Sequence, residues 1–303
     1  MGAYPINIDS EASEQADSAV EASALSLESP APFALDPAAR TADAKLLRTG
    51  AGSATEEIVH KVDNFDLPGF MPVAARFGQD RYGFVVTPNV DHLIRYHEDA
   101  AFRELYRAAN YVLLDSRFAA RLVRILKGVR LPVCTGADLT LALLSRTVKP
   151  SDRIVMIGGT VAQAEQIAAR YRLQHLQHHN PPMGFIKSPD AVERCANFIE
   201  RASPFRFCFL AVGSPQQEVV ARLLRTRGIA RGLALCVGAS LNFITGTEKR
   251  APLWMQQLAL EWLYRLLQNP RRMAHRYLVR GPRIFGHLRR ARVVLRGAPV
   301  IAT

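Results

Sequence analysis

Metal-binding and disulfide patterns are absent from this sequence. The chain has four cysteines, all far apart, and no CxxC pair. Three of the four lie in apolar runs, so we interpret them as small buried side chains in a reducing compartment. The eight histidines show no HExxH-type spacing, and we interpret His175, His178 and His179 as loop residues rather than metal ligands.

Long apolar runs are also missing. No run approaches the roughly eighteen residues that identify a membrane-spanning helix. The N-terminus has no basic region followed by an apolar core, so we see no signal peptide. We therefore expect a protein of the cytoplasm.

Acidic residues are nearly absent from the C-terminal end, and basic residues are scarce at the N-terminal end. Glu261 is the single acid among the last fifty residues, against ten arginines, whereas the first sixty residues carry ten acids and three bases. The net charge is +12. The basic end suits phosphates, whether of a nucleic acid, of anionic lipid head groups or of a diphosphate substrate.

Three regions differ in composition and periodicity. Residues 1–52 are rich in Ala, Ser, Asp, Glu and Pro, which predicts a disordered acidic tail. Over 53–247, strand runs and helical patterns alternate at the length of repeated βα units. We predict an α/β, Rossmann-like domain there, with a mostly parallel sheet and helices on both faces, followed by a basic, helical appendage over 248–303.

Short apolar runs define the predicted strands, and each ends in a small or polar cluster. The runs are Arg81–Val86, Tyr111–Leu114, Arg153–Ile157, Gln174–His179, Phe207–Val212 and Ala234–Val237. Leu131–Cys134 is either a short strand or a lead-in to the loop that starts at Thr135, and Val59–Phe65 is either a first strand or an irregular segment. In a doubly wound sheet these ends converge on one edge, where ligands bind.

The stretch Phe205–Glu218 has the layout of a buried strand, a tight glycine loop and a helix start. Phe207–Val212 is unbroken and apolar, Gly213–Pro215 interrupts it, and Gln216–Glu218 opens a helical pattern. Such a loop presents backbone N–H groups and polar side chains that can hold a sugar or a phosphate. The alternative interpretation is an ordinary βα turn with a solvated first helical turn, which explains the same residues.

Polar residues after two other strand runs are further candidates. Asp115 follows Tyr111–Leu114, where partial desolvation would raise its pKa and suit a general base, although Asp is also a common helix N-cap. Thr87 and Asn89 suit sugar hydroxyls, but turn chemistry around Pro88 explains them as well. Gly158 and Gly159 follow Ile157 as an isolated glycine pair. They are not part of a GxGxxG motif, so a dinucleotide-binding site has weak support.

Aromatic residues accompany the arginines near the C-terminus. Trp254, Leu258 and Trp262 would share one face of a continuous helix by their four-residue spacing. Such a stripe usually belongs to a core, and a face on the membrane interface is the alternative. A nucleic-acid-binding tail is a third interpretation, which no base-stacking or helix-turn-helix motif supports.

Several motifs occur together in one order over residues 81–277. They are Thr87–Asn89, Asp115, Thr135–Leu139, Ile157–Gly159, Gly213–Glu218, Val237–Gly238 with Asn242, Phe243 and Gly246, Lys249–Pro252, Leu260–Arg265 and Pro270–Arg272. With these motifs the sequence resembles the bacterial WecG/TagA/CpsF glycosyltransferases.

The resemblance implies an inverting, metal-independent transferase that needs no cofactor. It would move a sugar from a UDP-sugar to a polyprenyl-diphosphate-linked saccharide, in exopolysaccharide or cell-envelope synthesis, at the cytoplasmic membrane face. Asp115 matches the family's proposed base, and Thr87, Asn89 and Gln217 match positions lining its active site. The remaining candidate substrate-binding residues are Gly136, Asp138, Gly158, Gly159, Gly213, Gln216, Glu218, Arg265 and Arg272.

In that interpretation the C-terminal appendage contributes to catalysis as well as to membrane binding. It would bring Arg265 and Arg272 over the site, where they would offset the charge developing on the UDP leaving group. Its apolar face would dock to lipid. The expected partners are thus the donor, the acceptor and an anionic membrane surface, but not nucleic acid, and a homo-oligomer is left open.

This sequence departs from the family pattern at three positions. Ser116 stands where glycine is usual, and Val133 and His275 stand where basic residues are common. The departures leave the donor sugar open among glucose, glucuronic acid and N-acetylmannosamine, with Arg117 as a partner for a uronate. The departures at Ser116 and Val133 also support an alternative function, a non-catalytic nucleotide-sugar-binding or scaffolding protein of the same fold.

Overall fold

A computed structural model of the protein describes residues 7–8 and 58–297. The predicted disordered tail, residues 1–52, lies outside the described residues except for Asn7–Ile8. The described residues belong to one compact unit, and the boundary between 247 and 248 stays a prediction.

The strands form one large parallel sheet and one separate parallel pair. In chain order they are β1 (Asn7–Ile8), β2 (Val59–Asp63), β3 (Tyr82–Val86), β4 (Tyr111–Val112), β5 (Arg153–Ile157), β6 (His175–His179), β7 (Phe207–Leu210), β8 (Gly232–Cys236) and β9 (Arg292–Arg296). The seven described strands of the sheet lie in the order β1-β6-β5-β7-β8-β3-β4, while β2 pairs with β9. The predicted α/β class with a mostly parallel sheet is confirmed.

Alternate residues of the central strands supply two hydrophobic cores, one on each face of the sheet. In β7, Phe207 and Phe209 belong to one core, whereas Cys208 and Leu210 belong to the other. Every residue of β7 and β8 is buried. Burying a large apolar side chain contributes roughly 1.5–3 kcal/mol, so an unbroken apolar run is stable only where helices cover both faces.

Helices connect the strands and cover the sheet. They are α1 (Leu67–Arg76), α2 (Val90–Glu98), α3 (Ala100–Arg107), α4 (Arg117–Lys127), α5 (Gly136–Arg146), α6 (Val161–Tyr171), α7 (Pro189–Arg201), α8 (Gln216–Arg227), α9 (Ser240–Ile244), α10 (Leu253–Gln257), α11 (Glu261–Gln268), α12 (Pro270–Ala274) and α13 (Arg283–Arg290), with a 3₁₀ turn over Phe185–Lys187 and a π-helical segment over His275–Arg280. Three that border the site begin at the side-chain caps Asn89, Ser116 and Thr135.

The C-terminal segment, residues 248–297, packs on α2 through a buried apolar cluster, in which Ile284 and Leu288 meet Leu93 and Ile94, and through charged groups. Glu98 accepts hydrogen bonds from Arg280 (3.4 Å) and Arg283 (3.2 Å), and Asp91 pairs with Arg280 at 3.5 Å. The chain then returns through β9, which pairs with β2 along five residues. The arginine-rich end is therefore partly held by the acids of α2.

Of the two interpretations left open for Leu131–Cys134, a short strand or a lead-in, the structure shows the lead-in. The run leads into α5, Pro132 has no N–H to donate to a strand, and Cys134 N–H donates to the Leu114 carbonyl at 3.0 Å. The predicted strand over Gln174–His179 is confirmed as β6 (His175–His179), so the interpretation of His175, His178 and His179 as loop residues is wrong. In β6 His178 is buried, and its Nε2 lies 3.2 Å from the Gly158 carbonyl oxygen.

The stripe of Trp254, Leu258 and Trp262 does not lie on one helix. Ala259 has a φ of 61°, which interrupts the helical pattern between α10 and α11. The two tryptophans therefore belong to different helices.

Candidate active site

A cavity of about 220 Å³ lies at the carboxyl edge of the sheet, where the loops after β3, β4, β7 and β8 meet the C-terminal segment. We call it the polar cavity. Its lining residues include Thr87, Asn89, Asp91, Asp115, Thr135, Gly213, Ser214, Gln217, Gly238, Ser240, Phe243, Arg250, Glu261, Arg265 and Arg276. Because ligands of open α/β sheets bind outside the carboxyl ends of the strands, this cavity is the candidate active site.

Asp115 is fixed to the cavity by its backbone. Its N–H donates to the Pro88 carbonyl oxygen at 2.8 Å, which extends the pairing of β3 with β4 beyond the strands themselves. The side chain is half-buried, and it lines the cavity. It is not the helix cap, because Ser116 Oγ accepts the Ala119 N–H at 3.1 Å. The carboxyl group of Asp115 therefore remains available to a ligand.

Burial raises the pKa of the Asp115 carboxyl from the usual 3.8 to about 7, because burial removes hydration from the charged form. Arg265 and Arg250 oppose this shift by favouring the carboxylate, as does the Gly136 N–H, whereas Glu261 adds to it. A carboxyl group with a pKa near neutrality can both accept and release a proton at physiological pH.

Thr87 and Asn89 have structural roles in addition to lining the cavity. Thr87 Oγ is buried and donates to the Cys236 carbonyl at 2.9 Å, which ties the loop after β3 to the end of β8. Asn89 Oδ1 caps α2 by accepting the N–H groups of Asp91 (3.0 Å) and His92 (3.4 Å). Turn and cap chemistry and a place in the cavity lining thus coexist in the same residues.

The loop after β7 brings Gly213 and Gln217 to the cavity. Gly213 has a φ of 79°, a left-handed conformation that favours glycine. Gln217 Oε1 accepts the Gly238 N–H at 2.9 Å, and its Nε2 donates to Glu218 Oε1 at 3.0 Å. Glu218 is fully buried, and burial raises its pKa. Gln217 therefore fixes the loops after β7 and β8 relative to each other.

Two acids and two arginines form an ionic network beside Asp115. Arg250 forms two hydrogen bonds with the Asp138 carboxylate, one of them from Nη2 to Oδ2 at 3.0 Å, and its Nε lies 3.9 Å from Glu261. Arg117 lies 3.8 Å from Asp138 and 3.7 Å from Glu261. Burial alone would raise the pKa of Asp138, but the hydrogen bonds from Arg250 and Thr135 outweigh it and lower that pKa.

Three arginines of the C-terminal segment line the polar cavity: Arg250, Arg265 and Arg276. The Arg265 guanidinium lies 5.3 Å from the centroid of the Phe243 ring. Arg276 is 3.7 Å from the Asp91 carboxylate. Converging guanidinium groups attract anions and can bind phosphate oxygens in pairs.

A second cavity of about 330 Å³ adjoins the first, and we call it the apolar cavity. Its own lining residues include Val90, Ile94, Phe118, Trp262, Tyr277 and Phe285, and it shares Asn89, Asp91, Asp115, Glu261, Arg265 and Arg276 with the polar cavity. Asp115 thus stands at the junction of a charged cavity and an aromatic one.

The family model of the glycosyl transferase WecG/TagA/CpsF family matches residues 58–297. The chain belongs to this family. It is therefore a glycosyltransferase, an enzyme that takes a sugar from a nucleotide-sugar donor and passes it to an acceptor. The resemblance inferred from the motifs is confirmed over most of the chain.

The structure brings six of the sequence-predicted site residues of this glycosyltransferase together. Thr87, Asn89, Asp115, Gly213, Gln217 and Arg265 all line the polar cavity. Arg272 lies in α12, where the structure describes its backbone only. The catalytic and binding roles assigned to these residues remain predictions.

Six other predicted residues do not line either cavity. Gly136 supports the site, because a side chain there would meet Thr87 Oγ at 3.0 Å. Asp138 belongs to the ionic network, and Gln216 and Glu218 lie at the start of α8. Gly158 and Gly159 form the loop after β5, where a Cβ on Gly158 would lie 3.0 Å from the Ala211 backbone.

Sequence reasoning did not assign site roles to Arg250, Glu261 and Arg276, although all three line the polar cavity. A signal existed for the first two, since they belong to the Lys249–Pro252 and Leu260–Arg265 motifs. Arg276 was noted only as the neighbour of His275. In residues 7–8 and 58–297 no three His, Cys, Asp or Glu side chains are grouped to hold a metal ion, and no helix is long and apolar enough to cross a membrane.

Proposed function

We propose that this glycosyltransferase moves a hexose-type sugar from a UDP-sugar to an undecaprenyl-diphosphate-linked saccharide, with inversion and without a metal ion, in exopolysaccharide or cell-envelope synthesis. The observation that carries the proposal is the position of Asp115, a carboxyl group with a pKa raised to about 7 that faces arginines across a cavity. Such a pair of features suits proton removal beside a departing diphosphate.

In the proposed reaction Asp115 acts as the general base. An acceptor hydroxyl gives its proton to the Asp115 carboxylate while its oxygen attacks the anomeric carbon of the donor sugar. The bond from that carbon to the β-phosphate oxygen breaks, and UDP leaves with the electron pair from the opposite face of the ring. Arg265 and Arg276, which line the cavity, offset the charge that grows on the diphosphate.

The donor sugar is proposed from the glucose, glucuronic acid and N-acetylmannosamine class. Arg117 is the residue that a uronate would use, but it already faces the carboxylates of Asp138 and Glu261. Because a sugar carboxylate would have to displace one of these acids, the arrangement favours an uncharged donor sugar. Equal turnover of UDP-glucose and UDP-glucuronate would contradict this preference.

We also propose peripheral association with the inner face of the cell membrane through the C-terminal segment. Leu267, Leu278 and Val279 are 69%, 58% and 58% exposed in an arginine-rich stretch. Exposed apolar side chains among cations suit an anionic lipid surface. Sedimentation with anionic liposomes at physiological salt should capture the protein, while DNA at the same salt should not bind; the reverse result would favour the nucleic-acid interpretation.

A donor panel with a polyprenyl-diphosphate-linked acceptor tests the proposed reaction. Wild-type protein should release UDP from one donor only when the acceptor is present. Asp115→Asn should bind UDP as well as wild type and lose turnover by about a hundredfold or more, the usual effect of removing a general base. UDP-sugar binding without any turnover in wild type would support a scaffolding protein, and full activity in Asp115→Asn would refute the role of Asp115.

A further inference from the structure

The apolar cavity has no role in the reaction described so far, although it opens beside the same carboxyl group. Resting on the proposed function, we infer that this cavity is the acceptor subsite, in which Trp262 and Tyr277 contact the acceptor's terminal sugar ring. The sugar class is one with an apolar ring face, carried on a lipid diphosphate. The residues that determine acceptor affinity are therefore aromatic and come largely from the C-terminal segment.

The two cavities differ in the chemistry they offer. The polar cavity is lined by hydroxyls, backbone groups of glycine loops and three arginines, which suit a nucleotide diphosphate. The apolar cavity adds the rings of Phe118, Trp262, Tyr277 and Phe285. At about 330 Å³ it is at the lower end of the range of small-molecule sites, roughly 300–1,000 Å³. A saccharide acceptor fits it better than a second nucleotide would.

The aromatic rings are arranged as two pairs rather than as one closed cluster. Trp262 and Tyr277 lie edge to face with ring centroids 6.1 Å apart, and Phe118 and Phe285 do so at 6.4 Å. Phe285 is 47% exposed, so its pair stands at the rim. All four rings line the cavity, so the wall that a ring-shaped ligand would meet is largely aromatic.

The junction between the cavities places the reacting groups in order. Asp115 lines both, so a hydroxyl of a ring in the apolar cavity can reach the base while the donor occupies the polar cavity. Arg265 and Arg276 also line both and carry the positive charge that a diphosphate needs. Leu278 and Val279 are exposed and directly follow the cavity-lining Tyr277, so they are placed to meet the lipid of the acceptor.

The acceptor subsite depends on how the C-terminal segment docks. Phe118 comes from α4 of the preceding domain, whereas Trp262, Tyr277 and Phe285 come from three elements of the segment. The left-handed residue Ala259 separates α10 from α11, and both Ala259 and Trp262 line the cavity. Membrane attachment is thus only one function of the segment, because it also forms most of the aromatic wall.

Steady-state kinetics with a detergent-solubilised, short-chain polyprenyl-diphosphate saccharide test the inference without a membrane. Trp262→Ala should raise the acceptor KM by tenfold or more and leave the donor KM within about twofold, and Trp262→Phe should restore most of the affinity. Trp254→Ala is the matched control, since Trp254 is 58% exposed and lines neither cavity. A raised donor KM with an unchanged acceptor KM in Trp262→Ala would overturn the assignment.

A binding measurement gives a readout that does not require turnover. The chain has two tryptophans, so Trp254→Phe leaves Trp262 as the single indole reporter. Titration with the acceptor alone should change its emission and saturate near the acceptor KM, and Phe285→Ala in that background should weaken the titration. A response to UDP with none to the acceptor would overturn the inference.

The two proposals fail in different ways. Loss of the proposed function would appear as wild-type protein that transfers no sugar from any donor. Failure of the acceptor subsite would appear as active wild-type protein whose acceptor KM does not respond to Trp262→Ala.

Discussion

Replacing Asp115 by asparagine should make the protein more stable at neutral and alkaline pH, even though it removes the proposed base. The folded state holds the proton of Asp115 more tightly than the unfolded state does, because burial raises the carboxyl pKa to about 7 from the usual 3.8. The contribution of Asp115 to wild-type stability therefore falls as the pH rises from about 4 to 7 and stays level above that range. Asparagine has no charge to bury, so the variant avoids this loss.

The size of the effect follows from the shift of about three pKa units. At about 1.4 kcal/mol per unit, the shift corresponds to a loss of roughly 4 kcal/mol at pH 8.5 and of roughly 1.5 kcal/mol at pH 5. The advantage of Asp115→Asn over wild type should therefore grow by about 2 to 3 kcal/mol between these two pH values. Constant effects of the substitution on packing cancel in this difference.

Urea unfolding of wild type and variant at pH 5 and pH 8.5 measures this difference. Asp138→Asn is the control with the opposite sign, because hydrogen bonds lower the pKa of Asp138 and its carboxylate stabilises the fold above pH 4. That variant should lose stability at both pH values. A constant difference between Asp115→Asn and wild type across this range would refute the desolvated carboxyl group and, with it, the main physical reason for a base at this position.

Three further substitutions test the ionic network, the histidine cluster and the backbone. Arg250→Lys should lose about 1–3 kcal/mol of stability in urea unfolding, because an ammonium cannot keep both hydrogen bonds of the guanidinium to its carboxylate. Burial and two neighbouring histidines lower the pKa of His60 to about 3, so at pH 5 this histidine is protonated in the unfolded chain but not in the folded protein. The wild type therefore loses stability between pH 7 and pH 5 through this residue, and His60→Gln should reduce that loss by about 2 kcal/mol. Gly158→Ala, at a φ of 91° with the Ala211 backbone 3.0 Å from the new Cβ, should lower the thermal midpoint more than Gly128→Ala, at a φ of 70° in open space. Equal midpoints for the two glycine variants would contradict the close approach.

The fold was accessible from the sequence because its strands are short apolar runs buried on both faces. Phe207–Leu210 and Ala234–Cys236 follow that rule, and the sheet confirms both. Leu131–Cys134 shows the limit of this rule. The run is apolar like a strand, but Pro132 lacks the N–H group that a strand would donate. The break at Ala259 had no signal, since neither glycine nor proline marks that left-handed residue.

The site was only partly accessible, because its members are far apart in the sequence. Residues that follow strands, such as Asp115 and Gln217, could be expected at one sheet edge from topology alone. The pairing of Arg250 with Asp138, 112 residues apart, depends on how the C-terminal segment folds back, which no local pattern encodes. Propensity likewise did not show that Asn89 would cap a helix and line the cavity at once.

Under the proposed function, the C-terminal segment also couples the strength of the base to donor binding. Arg250, Arg265 and Glu261 belong to the segment, and all three act on the Asp115 pKa. The two arginines lower that pKa. A bound diphosphate neutralises part of their charge and adds negative charge of its own, and both changes raise the pKa of a nearby carboxyl group. Donor binding therefore makes the Asp115 carboxylate a stronger proton acceptor and at the same time lowers the fraction of Asp115 that is deprotonated near pH 7.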